Sequence, residues 1–188
     1  MSDERLSDIP YTWGFYGEMS PVFLNYVSAV NGFEPVPVAD GFDYCELGCG
    51  QGVTLAVNAQ LFVGGRFLGI DMSEAHIANA EALAAEAGLS NLSFRAADFS
   101  RLAGLGLGQF DFIALHGVYS WIDPEARNNV REFIAAHLKP GGLVYVSYNA
   151  MPGWAALLPL REMVLSATLG MDADTLGKAQ AGLDYLSY

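Results

Sequence analysis

Two rhythms of apolar and polar positions alternate between about residues 42 and 149. Short apolar runs at 42–47, 66–71, 91–95, 110–116 and 142–148 each give way to polar or glycine residues. Stretches with apolar positions three and four apart separate them, the signature of helices that show one face to a core. Five near-continuous apolar strands joined by helices predict an α/β fold, a doubly wound and mostly parallel sheet covered on both faces. The punctuation agrees. Ser73 is a cap for a helix running to Gly88, with Ile77, Ala80, Ala84 and Ala87 on one face. Asp123-Pro124 opens another helix with Ala126, Val130, Phe133 and Ile134 at helical spacing, and Pro140-Gly141-Gly142 turns the chain into the fifth strand.

The two ends read differently. Before the first strand, an aromatic segment from Pro10 to Gly17 and a helix at about 20–30 predict a cap over residues 1–40 that packs on the sheet or over a ligand. After the fifth strand two amphipathic helices are expected, at about 155–169 and 174–188, with no sixth or seventh strand. The expected organisation is therefore a cap at 1–40, a ligand-binding core at 41–154 and terminal helices at 155–188.

Composition narrows the class. Of 188 residues, 52% are hydrophobic and 16% charged, which excludes intrinsic disorder. Lysine and arginine number 9 against 21 acidic residues, a formal charge of −12. That sign repels phosphate backbones, so nucleic acid is a poor partner and a cationic ligand or basic protein a better one. Cys45 and Cys49 are too few for a disulfide framework and have no second ligand cluster in sequence, so no metal is expected. No signal peptide and no run of about 18 apolar residues stands out, so the expectation is a cytoplasmic protein without a membrane partner.

The chemistry concentrates where the first strand turns into the next helix. Glu46-Leu47-Gly48-Cys49-Gly50-Gln51-Gly52 falls at the carboxyl edge of the predicted sheet, where ligands of such folds bind. Gly48 and Gly50 allow a tight turn and close approach to backbone. A dinucleotide fingerprint requires its third glycine at 53, which is Val53, so a nicotinamide oxidoreductase is a distant rival. The second strand ends on Asp71, a carboxylate able to accept both hydroxyls of a ribose. Together these favour a nucleoside whose partner group is not a pyrophosphate.

These motifs resemble those of the class I S-adenosylmethionine-dependent methyltransferases. E-L-G-C-G-Q-G followed by L-G-I-D is similar to that family's motif I and acidic loop. Ala97-Asp98-Phe99, Phe110 through His116, and Leu138-Lys139-Pro140-Gly141-Gly142 are similar to its later motifs in the same order. The resemblance implies a Rossmann-like sheet with S-adenosylmethionine as cofactor. It implies that Glu46 contacts water or the methionine amino end near the glycine loop, that Asp71 binds the ribose diol, that Asp98 and Phe99 hold the adenine, and that Gly48, Cys49, Gly50 and Met72 also belong to the cofactor site. Family members normally complete the sheet with an antiparallel hairpin, so the missing last strands imply a piece of a longer protein. The mean hydropathy of +0.26 fits uncovered apolar faces.

His116-Gly117-Val118-Tyr119-Ser120-Trp121-Ile122, 147–154 and the aromatic N-terminal segment resemble a narrower group. These are bacterial methyltransferases with a C-terminal methyltransferase regulatory domain, some of which are protein-lysine methyltransferases. On this reading the acceptor is a protein lysine or a small molecule. His116, at the end of the fourth strand, is the best placed proton acceptor and also borders the cofactor. Tyr119 is a second catalytic candidate. Tyr16, Trp121 and Asn149 are substrate candidates, and Tyr11, Trp13 and Tyr16 form a candidate lid. His76 and His137 are expected on helix surfaces. The rivals are a small-molecule O- or N-methyltransferase and a non-catalytic cofactor-binding module.

Overall fold

A computed structural model describes residues 12–187. The chain divides into two compact units, whose described parts are 12–148 and 149–187. In the first, α1 (Pro21–Val30) precedes β1 (Phe42–Leu47), α2 (Val53–Leu61), β2 (Gly65–Asp71) and α3 (Glu74–Glu86). Then follow β3 (Leu92–Ala96), β4 (Phe110–Leu115), α4 (Pro124–His137) and β5 (Leu138–Val146). In the second unit α5 (Leu158–Ala167) packs against α6 (Thr175–Leu186).

The five strands form one parallel sheet in the order β3-β2-β1-β4-β5. The order reverses between β1 and β4, which opens a crevice at their carboxyl ends. Alternation along each strand sends side chains to opposite faces. Phe42, Tyr44, Phe112 and Ala114 enter one core with Leu55, Phe67 and Phe94. Cys45, Leu47, Ile113 and Leu115 enter the other with Leu102, Val130 and Phe133. Both faces are buried, which is why the strands read as unbroken apolar runs.

The helix starts follow the caps read in the sequence. The Ser73 side chain accepts the His76 N–H, and the Asp123 side chain accepts that of Ala126. Ala87 departs from expectation: it is the C-cap of α3 and exposed, one turn past Ala84 where the helix leaves the sheet. β5 also begins earlier than expected, at Leu138. Pro140-Gly141-Gly142 is absorbed as an irregularity between the Phe110–Leu138 and Phe112–Leu143 pairs. β5 is an edge strand, and Val144 on it is exposed, as are Val22, Phe23, Tyr26 and Val30 on α1.

The aromatic segment is fastened over the sheet's carboxyl edge. Tyr16 N–H donates to Thr54 Oγ1 at 3.1 Å, and the Tyr44 hydroxyl donates to the Met19 carbonyl at 2.9 Å. Met19 is fully buried. Residues 12–40 of the expected cap are described, and Tyr11 lies outside the described residues.

Candidate functional site

The loop from Gly48 to Gly52 leaves β1 through three left-handed glycines, at φ of +75°, +52° and +71° for 48, 50 and 52. At Gly48 a Cβ would come within 2.5 Å of Val118, so that glycine lets the loop after β4 pack against the loop after β1. Two side chains tie the turn down. The Gly50 N–H donates to Asp71 Oδ2 at 2.9 Å, and Gln51 Oε1 accepts from Asn79 on α3 at 3.1 Å.

Asp71 is buried at the end of β2. Its Oδ1 accepts the Ser73 N–H at 2.9 Å and lies 3.3 Å from His76 Nδ1. The carboxylate thus joins the glycine loop to the first turn of α3, a helix N-terminus that favours negative charge. His76 is a correction to the sequence reading. Its side chain is largely buried against Asp71. The reason is that the first turn of α3 folds back on the strand end it follows. His137 does sit at the end of α4, with Nδ1 2.8 Å from the Gly108 carbonyl.

Glu46 is the most unusual group. It is buried at the carboxyl end of β1, and Oε2 has no hydrogen-bond partner among the described residues. Burial, with the Asp71 charge added, pushes its pKa up to about 8. Glu46, Gly48, Cys49 and Gln51 line one cleft together with Tyr16 and His116. Thr12 and Gly14 close its rim, whereas Trp13 is mostly exposed.

On the far side, Asp98 accepts the Ser100 N–H at 2.7 Å. The Ser100 hydrogen bonds hold its carboxyl below the usual carboxylate range. Asp98 and Phe99 follow β3, and Met72 follows β2 with its side chain half exposed. His116 ends β4, with Nδ1 3.1 Å from the Tyr145 hydroxyl and 3.9 Å from Glu18 Oε1. Its ring stacks on Tyr16 at a centroid distance of 4.0 Å. Burial pulls the His116 pKa down, against the opposing pull of Glu18.

Tyr119 is not on the cleft wall. The Arg127 guanidinium lies 5.5 Å from its ring centre and donates to the Tyr119 carbonyl. Trp121 is half exposed on the same loop. Asn149 falls in the second compact unit. Glu18, Tyr145 and Ser147 were not singled out in the sequence; only their position beside His116 across the fold marks them.

The profile of the methyltransferase domain family matches residues 45–142, from β1 into β5. The chain belongs to that family. An uncharacterized protein of Synechocystis sp. is 37% identical over 178 residues, 95% of this chain and 35% of that protein. The structure of PKMT2 from Rickettsia typhi in complex with AdoHcy matches with a TM-score of 0.79 and 29% identity, covering 95% of this chain and 34% of that one. A trans-aconitate 2-methyltransferase of Deinococcus radiodurans is 34% identical over 105 residues, 56% of this chain and 37% of that enzyme. This methyltransferase domain therefore spans about a third of the length of these relatives.

S-adenosylmethionine is the cofactor of this family. The residues present suit it. A buried carboxylate oxygen without a partner on the wall of the cleft is an acceptor awaiting a cationic donor, and the cofactor brings an amino group and a sulfonium. Among the described residues, the lining of that cleft contains no lysine or arginine that would repel it.

Proposed function

We propose that this domain is the cofactor-binding part of an S-adenosylmethionine-dependent methyltransferase whose acceptor is an amine, in the first place a protein lysine. The observation that carries the reading is the unpartnered Glu46 oxygen on a cleft at the switch point of the sheet. The likeness to PKMT2 supports the finer choice of acceptor.

Glu46 would accept from the cofactor's amino group, Asp71 and Met72 would meet the ribose, and Asp98 with Phe99 the adenine. Gly48, Cys49 and Gly50 keep the backbone close to it. When bound, the cofactor supplies a methyl group on a positively charged sulfur. The chain's share is alignment and charge: buried carboxylates favour the cation, and aromatic faces exclude water from it. His116 takes the acceptor's proton, and Tyr16 and Trp121 contact the acceptor. Tyr119 receives no proton-transfer role because its ring is turned to Arg127.

A small-molecule acceptor is the second reading, favoured by the likeness to a trans-aconitate 2-methyltransferase. The resemblance to methyltransferases with a C-terminal regulatory domain belongs to the proposal as well. It is supported by the longer relatives and by the apolar surface of α1 and β5.

Calorimetric titration with S-adenosylhomocysteine tests the cofactor site. The wild-type chain should bind saturably. Asp71→Asn, which keeps the shape that receives the Gly50 N–H, should bind about tenfold more weakly through loss of one charge-assisted hydrogen bond. Equal binding by a folded variant sinks the ribose assignment, and no binding by the wild type sinks the cofactor reading.

A further inference from the structure

Glu18 and Tyr145 come from separate elements and meet at His116, which lines the cleft. Glu18 sits in a short 3-10 helix, Gly17–Met19, held by the buried Met19 beside it. Its carboxylate is 3.9 Å from His116 Nδ1, and its side chain is 41% exposed, so it faces both the imidazole and solvent. Tyr145 lies on β5 beside β4, with its ring nearly parallel to that of His116, at an interplanar angle of 7°. The Gly117 N–H donates to Ser147 Oγ at 2.7 Å, and the Ser147 hydroxyl is hydrogen-bonded to Tyr145 in turn. The tyrosine oxygen is fixed from behind.

We infer that Glu18, His116 and Tyr145 form a station for a primary amine: Glu18 receives the acceptor as an ammonium ion, and Tyr145 orients His116 to take its proton. This rests on the proposed methyltransferase reading and deepens it by choosing the acceptor's charge. A carboxylic acid acceptor requires a cation in the pocket. None lines the cleft among the described residues, and the nearby Arg127 is spent on the carbonyls of Tyr119 and Ser120.

Nδ1 lies 3.1 Å from the Tyr145 hydroxyl, which can accept its proton, and the Glu18 carboxylate at 3.9 Å favours hydrogen on that side of the ring. In the station this tautomer leaves the lone pair on Nε2. In the step, one N–H bond of the ammonium breaks, the proton forms a bond to Nε2, and the electron pair stays on the acceptor nitrogen. Imidazolium results, with Glu18 as its counter-ion. The amine is left neutral and nucleophilic. Burial keeps His116 uncharged at neutral pH beforehand, so it is ready to accept.

Nuclear magnetic resonance of the His116 ring tests this without turnover. The titrants are Nα-acetyl-lysine methylamide, n-butylamine and tricarballylate, each with and without saturating S-adenosylhomocysteine. Wild type should show a ring shift saturating with the lysine amide, about tenfold weaker binding in Glu18→Gln, and no shift with tricarballylate. Long-range proton–nitrogen spectra should show hydrogen on Nδ1. In Tyr145→Phe the ring should move toward the other tautomer while lysine binding holds.

Tighter binding of the lysine amide than of n-butylamine identifies a protein lysine, and equal binding a free amine; both uphold the station. Binding of tricarballylate in place of the amines overturns it, as does unchanged lysine binding by Glu18→Gln. Ring hydrogen on Nε2 in the wild type overturns the positioning role of Tyr145. Because the amine titration is also run without S-adenosylhomocysteine, failure of the cofactor reading shows in the separate titration with S-adenosylhomocysteine, whereas failure of the station shows in the amine titrations.

Discussion

Glu46 keeps a proton at neutral pH because burial in a low-dielectric strand end penalises its charged form, and Asp71 nearby adds to the penalty. The unfolded chain releases that proton at the ordinary value of 4.5, the folded chain only at about 8. Between those two values the folded state binds the extra proton, so rising pH lowers stability across that window. Glu46→Gln, which cannot ionise, should remove this part of the pH dependence. Urea unfolding at about pH 5 and about pH 8 reads the effect: the wild type should lose on the order of 3 kcal/mol more than the variant between them. Equal losses would mean that water or a rearranged loop already satisfies the carboxylate. The same group links to the ligand. A cationic amino group beside Oε2 favours the ionised form, so S-adenosylhomocysteine binding near neutral pH should release a proton and its heat should vary with the buffer.

Among elements, the sheet is divided in labour between its ends. At the amino end, Lys139 of β5 reaches Asp43 of β1 at 2.9 Å and Asp111 of β4 at 2.7 Å, while Arg66 of β2 closes on Asp43 at 2.7 Å. This network clamps four strands and leaves the carboxyl end to the ligand. Burial alone would raise the Asp43 carboxyl, but hydrogen bonds from Arg66 and Lys139 outweigh it and hold it low. Its stabilisation is therefore present above the ordinary carboxylate range and is lost as pH falls through the lowered value. Lys139→Met should cost about 1–2 kcal/mol in urea unfolding at neutral pH, and less than half of that near pH 3. A cost that does not change with pH would assign the loss to packing of the lysine stem.

The same elements explain what the sequence could disclose. Strands buried on both faces announce themselves as apolar runs, and Ser73 and Asp123 announce helix starts, because both signals are local. The start of β5 was hidden because a proline and two glycines read as a turn, and only pairing with β4 makes them strand. Glu46, Asp71 and His116 were legible because each ends a strand at the edge where such folds bind ligands. Glu18, Tyr145 and Ser147 were not. Their significance lies in contacts between residues far apart in the chain, 29 for Tyr145 with His116 and 30 for Ser147 with Gly117, and about a hundred for Glu18 with His116, which no local pattern encodes. His76 was misread for the same reason, since helical spacing does not show that the first turn of α3 returns to Asp71.

At the scale of the whole molecule, charge is the property that acts at a distance. The formal charge is −12, and two of the nine cations, Arg66 and Lys139, are held by carboxylates at the sheet end away from the cleft. Glu18 and Asp71 gather at the other end, where no lysine or arginine lines the cleft among the described residues. A field of this sign draws a cationic acceptor toward the cleft and slows an anionic one. Salt should expose the difference, because at about 0.1 M the screening length is only about 10 Å. Stopped-flow association of a fluorescent lysine-rich peptide should therefore slow several-fold between about 0.02 M and about 0.3 M salt, with a much smaller change in dissociation. Glu18→Gln removes one charge of the field, so it should leave most of that slope while weakening the final complex. Steering belongs to the molecule and capture to the side chain. If association is flat in salt, or quickens as an anionic partner would, the acidic balance serves solubility alone and the acceptor must be sought among neutral or acidic compounds.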